Sequence, residues 1–164
     1  MKICVIAPRY NEGDYANNVY MFPLGLGYIS AVLKKAGHLV DCLNLNHFDG
    51  PTDQLVQDHL MKYQKYDFVC TGGLSNSYHQ VKAITDAVRN TGLDTKIILG
   101  GGMISSEPEL TFEALKPDYI VIGEGETTVQ ELINCAENRA EIKDVDGIGY
   151  SDKSGHFQIT KKRK

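Results

Sequence analysis

The chain lacks the features that would mark a nucleic-acid-binding, membrane or secreted protein. Its 164 residues include 17 basic and 21 acidic side chains, for a formal net charge of −4. The only basic cluster is the terminal KKRK, so nucleic acid and membrane surfaces are not expected partners. No apolar run approaches the roughly 20 residues of a membrane span. The opening MKICVIA is too short for the core of a secretory signal, and we expect a cytoplasmic protein.

The cysteine pattern also excludes a cysteine-ligated metal or cluster site within the chain. Cys4, Cys42, Cys70 and Cys135 lie far apart, without CxxC or CxxxCxxC spacing. We therefore expect buried free thiols rather than ligands or disulfides. A composition of 42% hydrophobic and 23% charged residues is typical of one globular domain with its own core.

Apolar runs and amphipathic segments alternate along most of the chain. The five predicted strands are 2–7, 39–45, 67–72, 96–100 and 118–123. The predicted helical stripes are Leu26–Leu33, Val56–Tyr63, Val81–Val88, a segment opened by a Ser106–Glu109 capping box with Pro108, and Val129–Ala136. Strict alternation predicts a flavodoxin-like, doubly wound α/β fold with a five-stranded parallel sheet of order 2-1-3-4-5, the second strand lying at an edge.

The pattern changes after residue 140. DGIGY (146–150) and HFQIT (156–160), joined by a turn at SDKSG, predict a β-hairpin added to the sheet. We therefore divide the chain into a ligand-binding domain, 1–140, and a hairpin and linker, 141–164.

Glycine-rich loops follow the predicted strands where ligands bind in such sheets. Strand four runs into GGGMISS, strand three into TGGLSNSYH and strand five into GEGET. Three consecutive glycines indicate either a turn with positive φ or close approach of something flat to the backbone. The loops lack titratable catalytic pairs, so they favour a shaped slot for a large, weakly polar ligand.

Several families with this topology fail on their own residues. A dinucleotide site needs GxGxxG after strand one, where this chain has APRYNEGDY, and a P-loop needs GKS or GKT. A phospho-receiver domain would need an Asp at the end of strand three, where Cys70 and Thr71 stand. Arg9 and Tyr10 do not provide the hydroxyl-rich loop of a flavodoxin.

One family fits all of the loops together. The segments FPLGLGYISAVLKKAGHLVDCLNLN, TGGLSNSYHQV, IILGGGMISSEPE and PDYIVIGEGETTVQELI resemble the cobalamin-binding domain at the N-terminus of radical S-adenosylmethionine enzymes. The resemblance covers nearly the whole chain. It implies a domain that binds cobalamin for radical methyl transfer or related chemistry, and that is catalytically incomplete alone. S-adenosylmethionine and a 4Fe-4S cluster would belong to a second module, because this chain has no CxxxCxxC.

The resemblance also implies the cofactor-binding residues. The nucleotide tail would run beside the sheet between the ends of strands three and four, and the corrin would lie over the strand ends. The implied contacts are Tyr10, Asn11, Pro23, Leu24, Gly25, Gly73, Ser75, Asn76, Gly100, Gly101, Gly102, Met103, Gly123, Glu124, Gly125, Glu126 and Thr127.

One departure from the family pattern sets the expected binding mode. The best-known cobalamin folds carry DxHxxG after strand one, and its His replaces the lower base on cobalt. Here the loop PRYNEGDYANN contains no His, so we expect base-off cobalamin without a protein His ligand, with Tyr10 or Asn11 near its lower face. His79 after strand three remains a residue that could face the ligand. The alternatives are a degenerate scaffold that packs against another protein and a stand-alone corrinoid carrier.

Overall fold

The computed structural model describes residues 1–10, 23–63, 65–138 and 140–163. Within these ranges seven strands form one sheet of order β2-β1-β3-β4-β5-β6-β7. The strands are β1 (Lys2–Ala7), β2 (Leu39–Asn44), β3 (Phe68–Gly72), β4 (Lys96–Gly100), β5 (Tyr119–Val121), β6 (Ile148–Ser151) and β7 (Phe157–Ile159). The first five pair in parallel and the last two are antiparallel. The predicted fold, strand order and hairpin are confirmed.

Helices cover both faces of the sheet. They are α1 (Leu24–Lys35), α2 (Thr52–Tyr63), α3 (Tyr78–Asn90), α4 (Gly102–Ser106), α5 (Pro108–Leu115) and α6 (Glu126–Glu137). Side chains of α1 and α6, such as Leu33 and Leu132, pack on one face with Cys70, Ile98 and Val121. The other four helices pack on the opposite face. None of the helices in the described ranges is long and apolar enough to cross a membrane.

The central strands are apolar on both faces because both faces are covered. All five residues of β3 are buried, and Ile97, Ile98 and Leu99 of β4 are fully or almost fully buried. The edge strand β2 is less covered: Leu43 is its one buried residue, and Leu39 is 71% exposed. The expectation of buried thiols is confirmed for three cysteines and wrong for Cys42, which lies exposed on this edge strand.

The segment after β4 contains one helix more than predicted. The backbone forms the short helix α4, breaks at Glu107 and resumes at Pro108, which occupies the first turn of α5 as predicted. The predicted capping box is wrong. The Ser106 hydroxyl donates to the Gly102 carbonyl at 2.8 Å, and no side chain caps α5.

The hairpin continues the sheet rather than standing apart from it. β6 pairs with β5, and Ile148 is fully buried in the α1/α6 core. In the turn, Asp152 accepts hydrogen bonds from the Ser154 and His156 amides at 2.8 and 3.0 Å. After β7 the chain returns to α6, where the Arg163 guanidinium donates to Thr128 at 2.7 Å and pairs with Glu131.

Candidate functional site

A cavity of about 620 Å³ lies at the carboxyl edge of the sheet. Its floor is the α1/α6 face at the ends of β3, β4 and β5, and the first turns of α1 and α6 form one side. This size lies within the usual range of small-molecule and cofactor sites. The apolar floor and wall residues are Leu26, Ile29, Cys70, Ile98, Val121 and Val129.

The floor carries no ionised group. Cys70 is its one titratable side chain among the described residues, and its pKa is raised to about 12 by burial. The thiol therefore stays protonated at neutral pH and acts as an apolar surface rather than as a thiolate ligand. Thr71, the next residue, is also committed to the fold, because its hydroxyl donates to the Ile6 carbonyl at 2.8 Å.

Glycines line the rim where β3 and β4 end, and they serve two purposes. Gly101 has φ +97°, and a Cβ there would lie 2.8 Å from the Gly73 carbonyl oxygen. The two loops are also joined by the Met103 amide, which donates to Gly73 at 3.1 Å. Gly101 is thus required by the backbone itself.

Gly100 differs from its neighbour. A Cβ there would meet only Val121, at 3.9 Å. It would face the cavity, because Gly100 lies two residues after Ile98 and therefore on the same face of β4. A side chain at Gly100 would therefore occupy space that is open to a ligand, without straining the backbone.

Helix N-termini and the loop after β5 close the opposite side. α1 begins after Pro23 and α6 after Gly125, both without a side-chain cap, so their first amides carry the positive end of the helix dipole toward the cavity. Glu124 and Glu126 bring carboxylates to the same rim. The Gly123 amide donates to the Ser105 hydroxyl at 2.9 Å, which ties this rim to α4.

The loop after β1 supplies the remaining wall through Pro8, Arg9 and Tyr10. Asn46 holds it: its side-chain oxygen accepts from the Tyr10 amide at 2.8 Å, and its amide nitrogen donates to the Pro8 carbonyl at 2.9 Å. Arg9 is only 4% exposed, and its guanidinium donates to backbone carbonyls in the loop that follows β2, at 2.9 Å for Phe48.

Most of the residues expected from the sequence meet at this cavity. Those lining it are Tyr10, Pro23, Gly25, Gly73, Asn76, Gly100, Gly101, Gly102, Gly123, Glu124, Gly125 and Glu126. Leu24 is 66% exposed and Met103 is buried in the core under the other sheet face, and neither lines the wall. Ser75 and Thr127 lie beside lining residues without lining the cavity themselves. Asn11 lies outside the described residues.

Sequence reasoning missed the parts of the wall that are not in glycine-rich loops. Arg9 and Asn46 come from the ends of β1 and β2, and Ser105 comes from the unpredicted helix α4. The sequence pattern predicts the apolar floor residues only as part of the core. The sheet order could have found Asn46, because it places the ends of β1 and β2 side by side.

None of the histidines in the described ranges lines the cavity, and His79 is exposed on α3. Residues 8–23 contain no histidine either. None of the described cavity residues therefore offers an imidazole that could ligate the metal of a bound ligand.

Comparison with known proteins shows which family the chain belongs to. A family model for the B12 binding domain matches residues 18–133. The chain is 28% identical over 160 residues to an anaerobic magnesium-protoporphyrin IX monomethyl ester cyclase of Synechocystis, covering 92% of this chain and 30% of that protein.

Two solved structures share the fold. The radical S-adenosylmethionine methyltransferase TsrM of Kitasatospora setae, with cobalamin and a [4Fe-4S] cluster bound, superposes with a TM-score of 0.80 at 16% identity, over 98% of this chain and 29% of that one. The cobalamin-dependent radical enzyme OxsB, with aqua-cobalamin and S-adenosylmethionine bound, gives 0.77 at 21% identity, over 99% and 22%.

The chain thus spans less than a third of the length of each of these proteins. The family match extends from the residues before α1 to the middle of α6, and so takes in the floor and most of the rim of the cavity. The chain belongs to the B12-binding domain family.

Proposed function

We propose that the cavity binds cobalamin base-off, as the cofactor-binding part of a radical S-adenosylmethionine enzyme. The observation that carries this proposal is the Gly100 position, where absence of a side chain keeps the space next to Val121 and Ile98 open at the end of β4. A flat base needs such a surface. The nucleotide tail would lie against this floor, and the corrin over the strand ends.

The residues present fit such a ligand. The floor is apolar and neutral, as a buried aromatic base requires. The rim carries uncapped helix amides as donors and the Glu124 and Glu126 carboxylates as acceptors. Corrin side chains are amides, which both donate and accept hydrogen bonds, so each type of rim group has a partner.

Pro8, Arg9 and Tyr10 would form the wall at the lower face of cobalt. With no histidine in residues 8–23, this wall offers Tyr10 and the backbone around it instead of an imidazole. When bound, the corrinoid would supply the cobalt centre for methyl transfer or a related radical reaction. This chain's own residues bind it, orient it and exclude water from one side.

The remaining components would come from another module of the protein. S-adenosylmethionine is bound in the OxsB structure and a [4Fe-4S] cluster in the TsrM structure, and this chain covers less than a third of either protein. We assign residues 1–140 to cofactor binding. Residues 141–164 would lead toward a radical S-adenosylmethionine module that covers the open side of the corrin.

The test is co-elution with hydroxocobalamin. The protein is mixed with excess corrinoid, desalted, and the visible spectrum of the protein fraction is recorded. We expect retained corrinoid with a base-off spectrum. A spectrum of nitrogen-ligated cobalt would contradict the base-off mode, while loss of all colour would favour a scaffold domain that has lost its cofactor.

A further inference from the structure

Two polar side chains in the cavity wall are bound to backbone rather than turned to solvent. Arg9 is 4% exposed and Asn46 9% exposed, although both residues line a cavity at the surface. Burying a guanidinium is costly unless its donors are satisfied. Their partners therefore indicate what the two side chains are used for.

Asn46 continues the sheet beyond its last strand pair. β1 and β2 pair up to Ala7 and Asn44. Beyond that point the Asn46 side chain acts as a strand would, accepting from the Tyr10 amide and donating to the Pro8 carbonyl, at 2.8 and 2.9 Å. Its own orientation is fixed by the Asn44 side-chain oxygen, which accepts from both the Asn46 amide and side chain.

Arg9 joins the segment after β1 to the loop after β2 through a second set of hydrogen bonds. Its Nη1 donates to Gly50 at 3.0 Å and its Nη2 to Phe48 at 2.9 Å, with a longer bond of 3.4 Å from Nε to Leu45. The planar guanidinium can donate to all three carbonyls at once. A lysine ammonium, which is a single point of charge, cannot reach the three together. These hydrogen bonds fix the backbone of Pro8, Arg9 and Tyr10 against the loop that follows β2.

We infer that Asn46 and Arg9 are positioning residues for the cofactor: they hold Pro8, Arg9 and Tyr10 as a preformed wall beneath the corrin. The inference rests on the proposed function. A wall fixed before binding lowers the ordering cost of binding and keeps small molecules from that face of cobalt. Neither side chain coordinates cobalt in this arrangement.

The experiment compares matched variants of the whole chain in hydroxocobalamin titrations. Asn46→Ala is paired with Asn138→Ala, whose side chain also donates to a carbonyl, on α6 far from the cavity. Arg9→Lys is paired with Arg89→Lys, whose guanidinium also binds backbone carbonyls, at 3.0 Å for Lys116. We expect about ten- to hundredfold weaker binding for the cavity variants, because each leaves buried backbone groups of the wall without their hydrogen-bond partner, and wild-type affinity for the controls.

Two readouts separate positioning from general loss of structure. Asn46→Asp retains the acceptor for Tyr10 and should recover part of the affinity lost in Asn46→Ala. Cyanide, which adds to both faces of an open corrinoid, should add to the second face of bound cobalamin faster in Asn46→Ala than in the wild type, because the wall over that face is no longer held. Thermal unfolding of each variant, without corrinoid, identifies any that fails to fold.

The outcomes distinguish this inference from the proposal on which it rests. If the wild type retains no corrinoid, the proposed function fails and the inference fails with it. If the wild type binds and Asn46→Ala and Arg9→Lys bind equally well, only the inference is overturned. Equal losses in the paired controls would also overturn it, because the effect would then be one of stability alone.

Discussion

At the scale of single residues, neighbouring glycines have different reasons for being glycine. Gly101 combines φ +97° with backbone contact to Gly73, so any side chain there strains the fold itself. Gly100 has no such constraint, and its Cβ position opens into the cavity. Gly100 and Gly101 must therefore be substituted separately. A side chain at Gly100 would reduce the space for a ligand without straining the fold, whereas one at Gly101 would strain the fold.

Gly100→Leu should fill the cavity floor while leaving the chain folded. The new side chain would occupy the space beside Val121, and we expect corrinoid binding to weaken at least about a hundredfold, equivalent to about 2.7 kcal/mol. Equilibrium titration with hydroxocobalamin measures this loss, and circular dichroism checks the fold.

A suitable control for this variant is Ala36→Leu, which adds similar bulk at an exposed position after α1. It should bind as the wild type does. Wild-type affinity in Gly100→Leu would show that no part of the ligand lies against β4, and would remove the observation on which the proposed function depends.

At the scale of elements, the hairpin shows how a few polar groups fix a turn. The Asp152 carboxylate accepts two backbone amides and the Gln158 side chain, and these hydrogen bonds hold the pKa of Asp152 below its ordinary value. A lowered pKa in the folded state means that the ionised form stabilises the turn. That contribution is present above the ordinary pKa of 3.8 and is lost as the pH falls through the lower folded value.

We therefore expect acid to loosen the hairpin turn before it affects the sheet. In an NMR titration, the Ser154 and His156 amide resonances should shift with an apparent pKa below 3.8, while amides of β4 stay unchanged until global unfolding. Asp152→Asn should abolish the shift. An apparent pKa at or above the ordinary value would contradict the hydrogen-bonded turn.

The regular elements could be predicted from sequence because their signals are local. Continuous apolar runs gave β1 and β4 their observed limits, and Gly37, with φ +90°, follows α1 as a glycine terminating a helix should. The short helix α4 could not be predicted, since its first turn is held by the Gly73–Met103 hydrogen bond between two loops. The wall at Asn46 was missed for a similar reason: its partners lie 36 and 38 residues away in the chain.

At the scale of the whole molecule, binding and stability are linked. The cavity is walled by residues between Pro8 and Val129, which include parts of strands β3, β4 and β5 and of helices α1, α4 and α6. A ligand that contacts all of these at once binds the folded chain only. It therefore stabilises the fold as a unit, whichever individual contact is strongest.

Hydroxocobalamin at about 100 times its Kd should contribute about 2.7 kcal/mol to unfolding free energy. For a chain of this length, that raises the Tm by about 5–10 °C in a calorimetric scan. Cobinamide, which lacks the nucleotide tail, should give a smaller rise, and S-adenosylmethionine alone should give none. Equal shifts for cobalamin and cobinamide would argue against a tail seated on the β4 floor.

The origin of the cavity walls has a consequence for the order of events during synthesis. The first wall, at Pro8 to Tyr10, leaves the ribosome early, whereas the α6 wall at Glu126 and Val129 leaves late, and Ile122 is held by the Gly147 carbonyl only when the hairpin has followed. A nascent chain halted after β4 would contain the glycine rim and the first turn of α1, but neither β5 nor α6. If the cavity binds cobalamin as proposed, we therefore expect the cofactor to be captured only after α6 and the hairpin have been translated.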